Sequence, residues 1–182
     1  MKLINTKIDG FFLIESEVFE DGRGFFLETY SEKKFNTLGI KDVFVQDNHS
    51  HSTKGVLRGM HFQLKKPQAQ VVSVIRGKIF DVVVDLRRNS STFGQWEGIE
   101  ISDKSDIRHV YMCPGLAHGF LTLSDTVDLH YKVSRLYNPE DECGLIWNDP
   151  DINIDWPAKD PLISSRDQNQ QSFKEYLRDL KF

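Results

Sequence analysis

Cysteine is nearly missing from this chain. Its 182 residues hold two, Cys113 and Cys143, with no Cys-x-x-Cys pair and no metal-binding spacing around either. This argues against a disulfide-stapled scaffold and against a structural zinc site, and both thiols are expected free in a reducing compartment. Long apolar runs are missing as well. None reaches the roughly 20 residues of a membrane helix, and the opening Met1-Lys-Leu-Ile-Asn-Thr6 lacks the apolar stretch and cleavage site of a secretory leader. A cytoplasmic protein with no membrane partner is expected. Nor is there a basic surplus: 23 Lys and Arg face 27 Asp and Glu, a net charge of −4. Nucleic acid is therefore not an expected partner, and any anionic ligand must be gripped by a few local cations. No internal repeat, low-complexity tract or linker divides the chain, so a single domain over residues 1–182 is expected, long enough to bury a sizeable core.

What the chain does have is alternation punctuated by turns, the pattern of β structure. Strands are predicted at Phe11 to Phe19, Phe25 to Tyr30, Val43 to Asn48 and Gly55 to Gln63. Further strands are predicted at Gln70 to Arg76, Lys78 to Leu86, Trp96 to Ile101, Ile107 to Met112, Gly119 to Leu123 and Val127 to Val133. Gly77 reads as a hairpin turn and His49 to Lys54 as a polar loop. Ser31 to Leu38 reads as a short helix with Ser31 as its N-cap and Gly39 at its stop. Phe173, Tyr176, Leu177 and Leu180 recur at helical spacing, so a C-terminal helix is expected over Gln170 to Leu180. Short strands at even spacing imply an all-β sandwich or barrel with peripheral helices.

The stretch Gly55-Val-Leu-Arg-Gly-Met-His-Phe-Gln63 organises the rest. Simple alternation puts Arg58 and His61 on opposite faces, but a bulge at Gly59 turns both into one cavity. A cation and an imidazole in an apolar interior suggest a reaction site; the alternative is a satisfied buried His and a surface Arg. In Val127 to Val133, Tyr131 shares the apolar face, as a packed core phenol or as a proton donor. Cys113-Pro-Gly-Leu-Ala-His-Gly-Phe120 delivers His118 to the start of a strand. With Gln63 where a second His would stand and no Glu at the usual spacing, two His make a poor metal set. Asp167, in Asp160-Pro-Leu-Ile-Ser-Ser-Arg-Asp-Gln168, is either a helix N-cap or the partner that fixes the His61 tautomer.

In order along the chain stand Asp21-Gly-Arg-Gly-Phe25, Gln46-Asp-Asn48, Leu57-Arg-Gly-Met-His-Phe-Gln63, Gly77-Lys-Ile-Phe-Asp-Val-Val-Val-Asp85, Pro114-Gly-Leu-Ala-His-Gly-Phe120, Tyr131-Lys132, Trp147-Asn-Asp-Pro150 and Ser165-Arg-Asp167. Together they resemble the dTDP-4-dehydrorhamnose 3,5-epimerases over nearly the whole chain. The resemblance implies a metal-free, cofactor-free cupin jelly roll, a homodimer whose N-terminal strands exchange between subunits. Its implied substrate is dTDP-4-dehydro-6-deoxy-D-glucose, inverted at C3 and C5 to dTDP-4-dehydro-L-rhamnose for cell-surface polysaccharide. By position, His61 matches the proton acceptor, Asp167 its partner and Tyr131 the proton donor on the other face of the sugar. Arg58, His118, Glu142 and Arg166 match substrate contacts. Arg23, Glu28, Gln46 and Asn48 match the part that holds the nucleotide, with Phe26 beside them. Tyr137 matches a ring that stacks on thymine, and Asp81 a further acidic group in the pocket.

One position departs from the family pattern. Gln70, in Pro67-Gln-Ala-Gln-Val71, stands where the family commonly has a Lys that approaches the sugar carbonyl. An amide donates a hydrogen bond without charge, so stabilisation of an oxyanion weakens unless Arg58, Lys65 or Lys66 serves. The alternatives this leaves are a single-carbon epimerase on another 4-keto sugar nucleotide and, in a different class, a metal-dependent cupin isomerase or dioxygenase.

Overall fold

The run Lys78–Asp85 places Ile79, Asp81 and Val83 on one side of its strand and Phe80, Val82 and Val84 on the other, and nearly all are buried. A strand that is apolar on both sides must lie between two packed layers, and the fold is built on that requirement. The structure, a computed structural model, describes residues 1–178. The strands are β1 (Lys2–Asn5), β2 (Phe11–Glu15), β3 (Val18–Asp21), β4 (Gly24–Leu27), β5 (Gln46–Thr53), β6 (Val56–Gln63), β7 (Gln70–Arg76), β8 (Lys78–Asp85), β9 (Trp96–Ser102), β10 (Ile107–Met112), β11 (Leu116–Thr122), β12 (Thr126–Val133), β13 (Glu142–Gly144) and β14 (Leu162–Ile163). The helices are short: α1 (Glu32–Thr37), α2 (Ser165–Gln168) and α3 (Phe173–Arg178).

Two sheets stack face to face. The first runs β1-β2-β10-β7-β12-β5, the second β13-β6-β11-β8-β9 with β14 beside β6, and β3-β4 form a separate ribbon. From β5 to β12 the chain passes back and forth between the two main sheets, staying within the second only from β8 to β9, which is jelly-roll winding. Among the described residues the two sheets do not share an edge, so of the two expected forms the sandwich is the one observed. Val72, Val74, Ile79, Val83, Val110, Phe120 and Leu129 fill the space between the sheets. The outer face of the second sheet is covered by the C-terminal segment, where Ile152, Trp156, Phe173 and Tyr176 pack on Val82, Val84 and Leu121. Asp149, itself buried, holds that segment by accepting the backbone N–H groups of Asp151, Ile152 and Phe173. α1 covers part of the first sheet through Phe35.

Three expectations are corrected. Gly77 is not a hairpin turn: β7 lies in the first sheet and β8 in the second. Its φ of 90° and the 2.2 Å from its would-be Cβ to the Thr126 carbonyl oxygen restrict that crossing to glycine. His49 to Lys54 is not a loop, because β5 runs from Gln46 to Thr53. It is an edge strand made of polar residues: Gln46, Asn48 and Ser50 face a cavity, while Asp47, His49 and His51 bond Lys132 and Asp128 on the outer face. Phe11 to Phe19 is two strands, broken at Ser16 and Glu17. The expected C-terminal helix is observed as α3, which starts at Phe173 and not at Gln170, and Leu180 lies outside the described residues.

Candidate active site

Pairing places His61 of β6 opposite His118 of β11, and Arg58 opposite Phe120. Three steps along β6 therefore match two along β11, so β6 carries an extra residue, a bulge at Gly59. Gly59 has φ 129°, and a Cβ there would stand 2.5 Å from Gly119 Cα. The bulge turns Arg58 and His61 into the same cavity, of about 720 Å³, between the two sheets. That volume is in the range of small-molecule sites.

The C-terminal segment brings Asp167 to this bulge. β14 pairs in parallel with the start of β6, Leu162 beside Val56 and Ile163 beside Leu57. Ser164 then caps α2, its hydroxyl accepting the Asp167 N–H at 3.1 Å. Of the two roles considered for Asp167, the cap thus belongs to Ser164. Asp167 Oδ1 lies 2.7 Å from His61 Nε2, and Oδ2 accepts the Gly59 N–H at 3.3 Å. Burial pushes the Asp167 carboxyl up, but the His61 hydrogen bond and charge, with the Gly59 and Ser164 bonds, outweigh it and hold the carboxyl below its usual range. An ionised Asp167 only accepts, so Nε2 carries the hydrogen and Nδ1 is left available. His61 Nδ1 is 3.9 Å from Glu142 Oε1.

Tyr131 comes from the facing sheet, on β12, with Leu129 and Val133 beside it in the cavity wall. Burial raises its phenol above the ordinary value, Arg58 works against that shift and Glu142 adds to it. His118 Nε2 bonds Asp81 Oδ1 at 2.7 Å, and Asp81 is fully buried on β8. Arg58 is fixed by Ser52 Oγ at 3.0 Å and the His51 carbonyl at 3.2 Å. Gln46, Asn48 and Gln70 also line the cavity. At its mouth, Arg166 pairs with Glu142 at 2.7 Å and the Tyr137 hydroxyl donates to the same carboxylate oxygen. That bond to Glu142 raises both the Tyr137 phenol and the Arg166 guanidinium above their usual values.

Arg23, Phe26 and Glu28 are not brought to this cavity within one chain. Arg23 bonds Asp21 on the β3-β4 ribbon, Phe26 is 71% exposed there, and Glu28 just beyond pairs with Lys34 at 2.9 Å. The ribbon's two strands, among the described residues, pair only with each other. Among the described residues no three or more His, Cys, Asp or Glu side chains converge in a way that would hold a metal ion. Sequence reasoning passed over Ser52 and Ser164, which fix Arg58 and Asp167. For Ser164 a signal existed, since Ser three residues before an acidic residue is a capping spacing.

Residues 5–175 match the family model described as dTDP-4-dehydrorhamnose 3,5-epimerase. A dTDP-4-dehydrorhamnose 3,5-epimerase of Methanothermobacter thermautotrophicus is 50% identical over 177 residues, 96% of this chain and 95% of its own. A dTDP-4-dehydrorhamnose 3-epimerase of Streptomyces niveus is 43% identical, covering 93% of this chain and 82% of its own. Among solved structures, a dTDP-6-deoxy-D-glucose-3,5-epimerase of Legionella pneumophila, in complex with dTDP-4-keto-L-rhamnose, superposes with a TM-score of 0.91. It is 43% identical and the match covers 95% of this chain and 93% of that one.

Proposed function

Since the chain belongs to the dTDP-4-dehydrorhamnose 3,5-epimerase family, a family of isomerases, we propose that it inverts C3 and C5 of dTDP-4-dehydro-6-deoxy-D-glucose to give dTDP-4-dehydro-L-rhamnose. The observation that carries this reading is the placing of His61, backed by Asp167, and Tyr131 on opposing sheets of one cavity. A ketone at C4 acidifies the hydrogens on C3 and C5, because either carbanion delocalises as an enolate. His61 Nδ1 takes the proton, and the Asp167 carboxylate holds the ring and stabilises the imidazolium. The electron pair of the broken C–H bond moves onto the C4 oxygen, beside Arg58 and His118. Tyr131, its phenol kept protonated by burial, returns a proton to the opposite face of the carbon. The centre is inverted, and His61 and Tyr131 exchange protons with water before the next carbon.

His61→Ala is expected to lower turnover of this substrate by at least 10³-fold, with substrate and product followed by NMR. Epimerisation at the normal rate by that variant overturns the base assignment. A single-carbon reading is favoured by one feature, Gln70 in the cavity wall, and a similar protein is a 3-epimerase. Arg23, Phe26 and Glu28 fit a homodimer in which the β3-β4 ribbon reaches a second copy's cavity. The exposed Phe19, Phe25 and Phe26 on that ribbon support the arrangement. The protein acts in the cytoplasm on this reading, where nucleotide sugars are made.

A further inference from the structure

Two glutamines on opposite walls of the cavity grip the backbone of two neighbouring residues in one loop. Gln46, on β5 of the first sheet, accepts the Tyr137 N–H at Oε1, 3.0 Å away. Gln63, at the end of β6 in the second sheet, donates from Nε2 to the Asn138 carbonyl at 3.1 Å. A backbone N–H can only donate and a carbonyl can only accept, so these partners fix which end of each carboxamide is oxygen and which is nitrogen. Gln63 is buried, a position where an amide is costly unless it is bonded. The loop is further pinned at its ends. Ser134 and Ala69 bond reciprocally, and the Asp141 carboxylate accepts the N–H groups of Lys65 and Lys66. Between these anchors the Tyr137 ring stands half exposed at the mouth.

We infer that Gln46 and Gln63 form a clamp that joins the two sheets through the Tyr137–Asn138 backbone and holds the Tyr137 ring as a platform for the planar base of a nucleotide. Both are positioning residues, and the inference rests on the reading that the cavity takes a nucleoside diphosphate sugar. A loop that is already fixed loses little entropy when the base arrives, whereas an unclamped loop must be ordered at that moment. The clamp therefore acts on binding and leaves the proton transfers alone.

Two measurements test it, the first without any ligand. Amide hydrogen exchange at Tyr137 in Gln46→Met is expected to be at least about tenfold faster than in the wild type. Gln46→Glu, which keeps an accepting oxygen, is expected to retain the protection. In the second, Gln63→Met is expected to weaken thymidine diphosphate binding and raise KM about tenfold, with kcat within about threefold. Gln63→Glu, which cannot donate and sets a carboxylate against a carbonyl, is expected to do worse. Thermal melting of each variant separates these effects from unfolding. Equal exchange at Tyr137 in wild type and Gln46→Met overturns the clamp, as does a Gln63 effect that falls on kcat and not on KM. Wild-type protein that fails to bind thymidine diphosphate overturns the nucleotide reading instead, and the exchange result still decides the clamp.

Discussion

Exchanging Asp167 for Asn removes one charge and almost no volume. The carboxylate accepts from two donors, His61 Nε2 at 2.7 Å and the Gly59 N–H at 3.3 Å. An amide has one oxygen and cannot serve both. If that oxygen stays on His61, its NH2 group confronts the Gly59 N–H, donor against donor. If it turns to Gly59, the NH2 group donates to His61 Nε2 and forces the ring proton onto Nδ1, the nitrogen that must accept. The second arrangement removes the clash, so the variant settles into the wrong tautomer. Such a tautomer trap beside a catalytic imidazole lowers turnover by about 10³–10⁴-fold, which is about 4–5.5 kcal/mol of barrier. The assay is kcat on dTDP-4-dehydro-6-deoxy-D-glucose, with thymidine diphosphate affinity as the control and nitrogen NMR of the imidazole to read the tautomer. A variant that keeps more than a tenth of wild-type kcat refutes the role given to Asp167.

Tyr131→Phe is expected to keep hydrogen exchange on the substrate while slowing inversion by about 10²-fold; unchanged inversion removes Tyr131 from the mechanism. Gln70→Lys places a cation in the cavity wall and is expected to raise kcat about tenfold, within the effect of one oxyanion donor, and unchanged kcat shows that Arg58 and His118 already suffice. His109 bears on stability. Burial, with Arg108 and His130 nearby, lowers its imidazole from 6.5 to about 4. The unfolded chain thus takes up a proton below about pH 6.5 that the folded chain refuses until about 4, and stability falls as the pH drops through that window. The loss is about 3 kcal/mol at 1.36 kcal/mol per pH unit. Urea unfolding at pH 7 and pH 4.5 is expected to show a smaller loss for His109→Gln than for wild type, and equal losses discard the explanation.

Much of the sandwich was legible because its central strands are buried on both sides. Gln70–Arg76 and Ile107–Met112 were bounded correctly to the residue, since their apolar runs end at charge or turn residues. The strand read at Val43 to Asn48 catches only the start of β5, and its second half reads as a loop because an edge strand beside a wet cavity has no apolar face, so Ser50 and its polar neighbours carry no strand pattern. Gly77 was read as a turn correctly and as a hairpin wrongly, because a glycine marks a change of direction and not the sheet that the chain enters. β13 and β14 are too short to leave a period. In the site, the bulge at Gly59 was legible from one glycine between two ionisable groups. The approach of Asp167 to His61, over a separation of 106 residues, depends on β14 pairing with β6, which no local pattern signals. The ribbon bearing Arg23 and Phe26 was assigned by resemblance, and in a single chain its geometry leads away from the cavity.

The most direct test is the reaction run in heavy water with purified protein and dTDP-4-dehydro-6-deoxy-D-glucose, read by NMR. The account predicts deuterium at both C3 and C5 of an inverted product, lost in His61→Ala. Deuterium at one carbon only contradicts the double inversion, and no deuterium at either carbon contradicts an enolate formed between His61 and Tyr131.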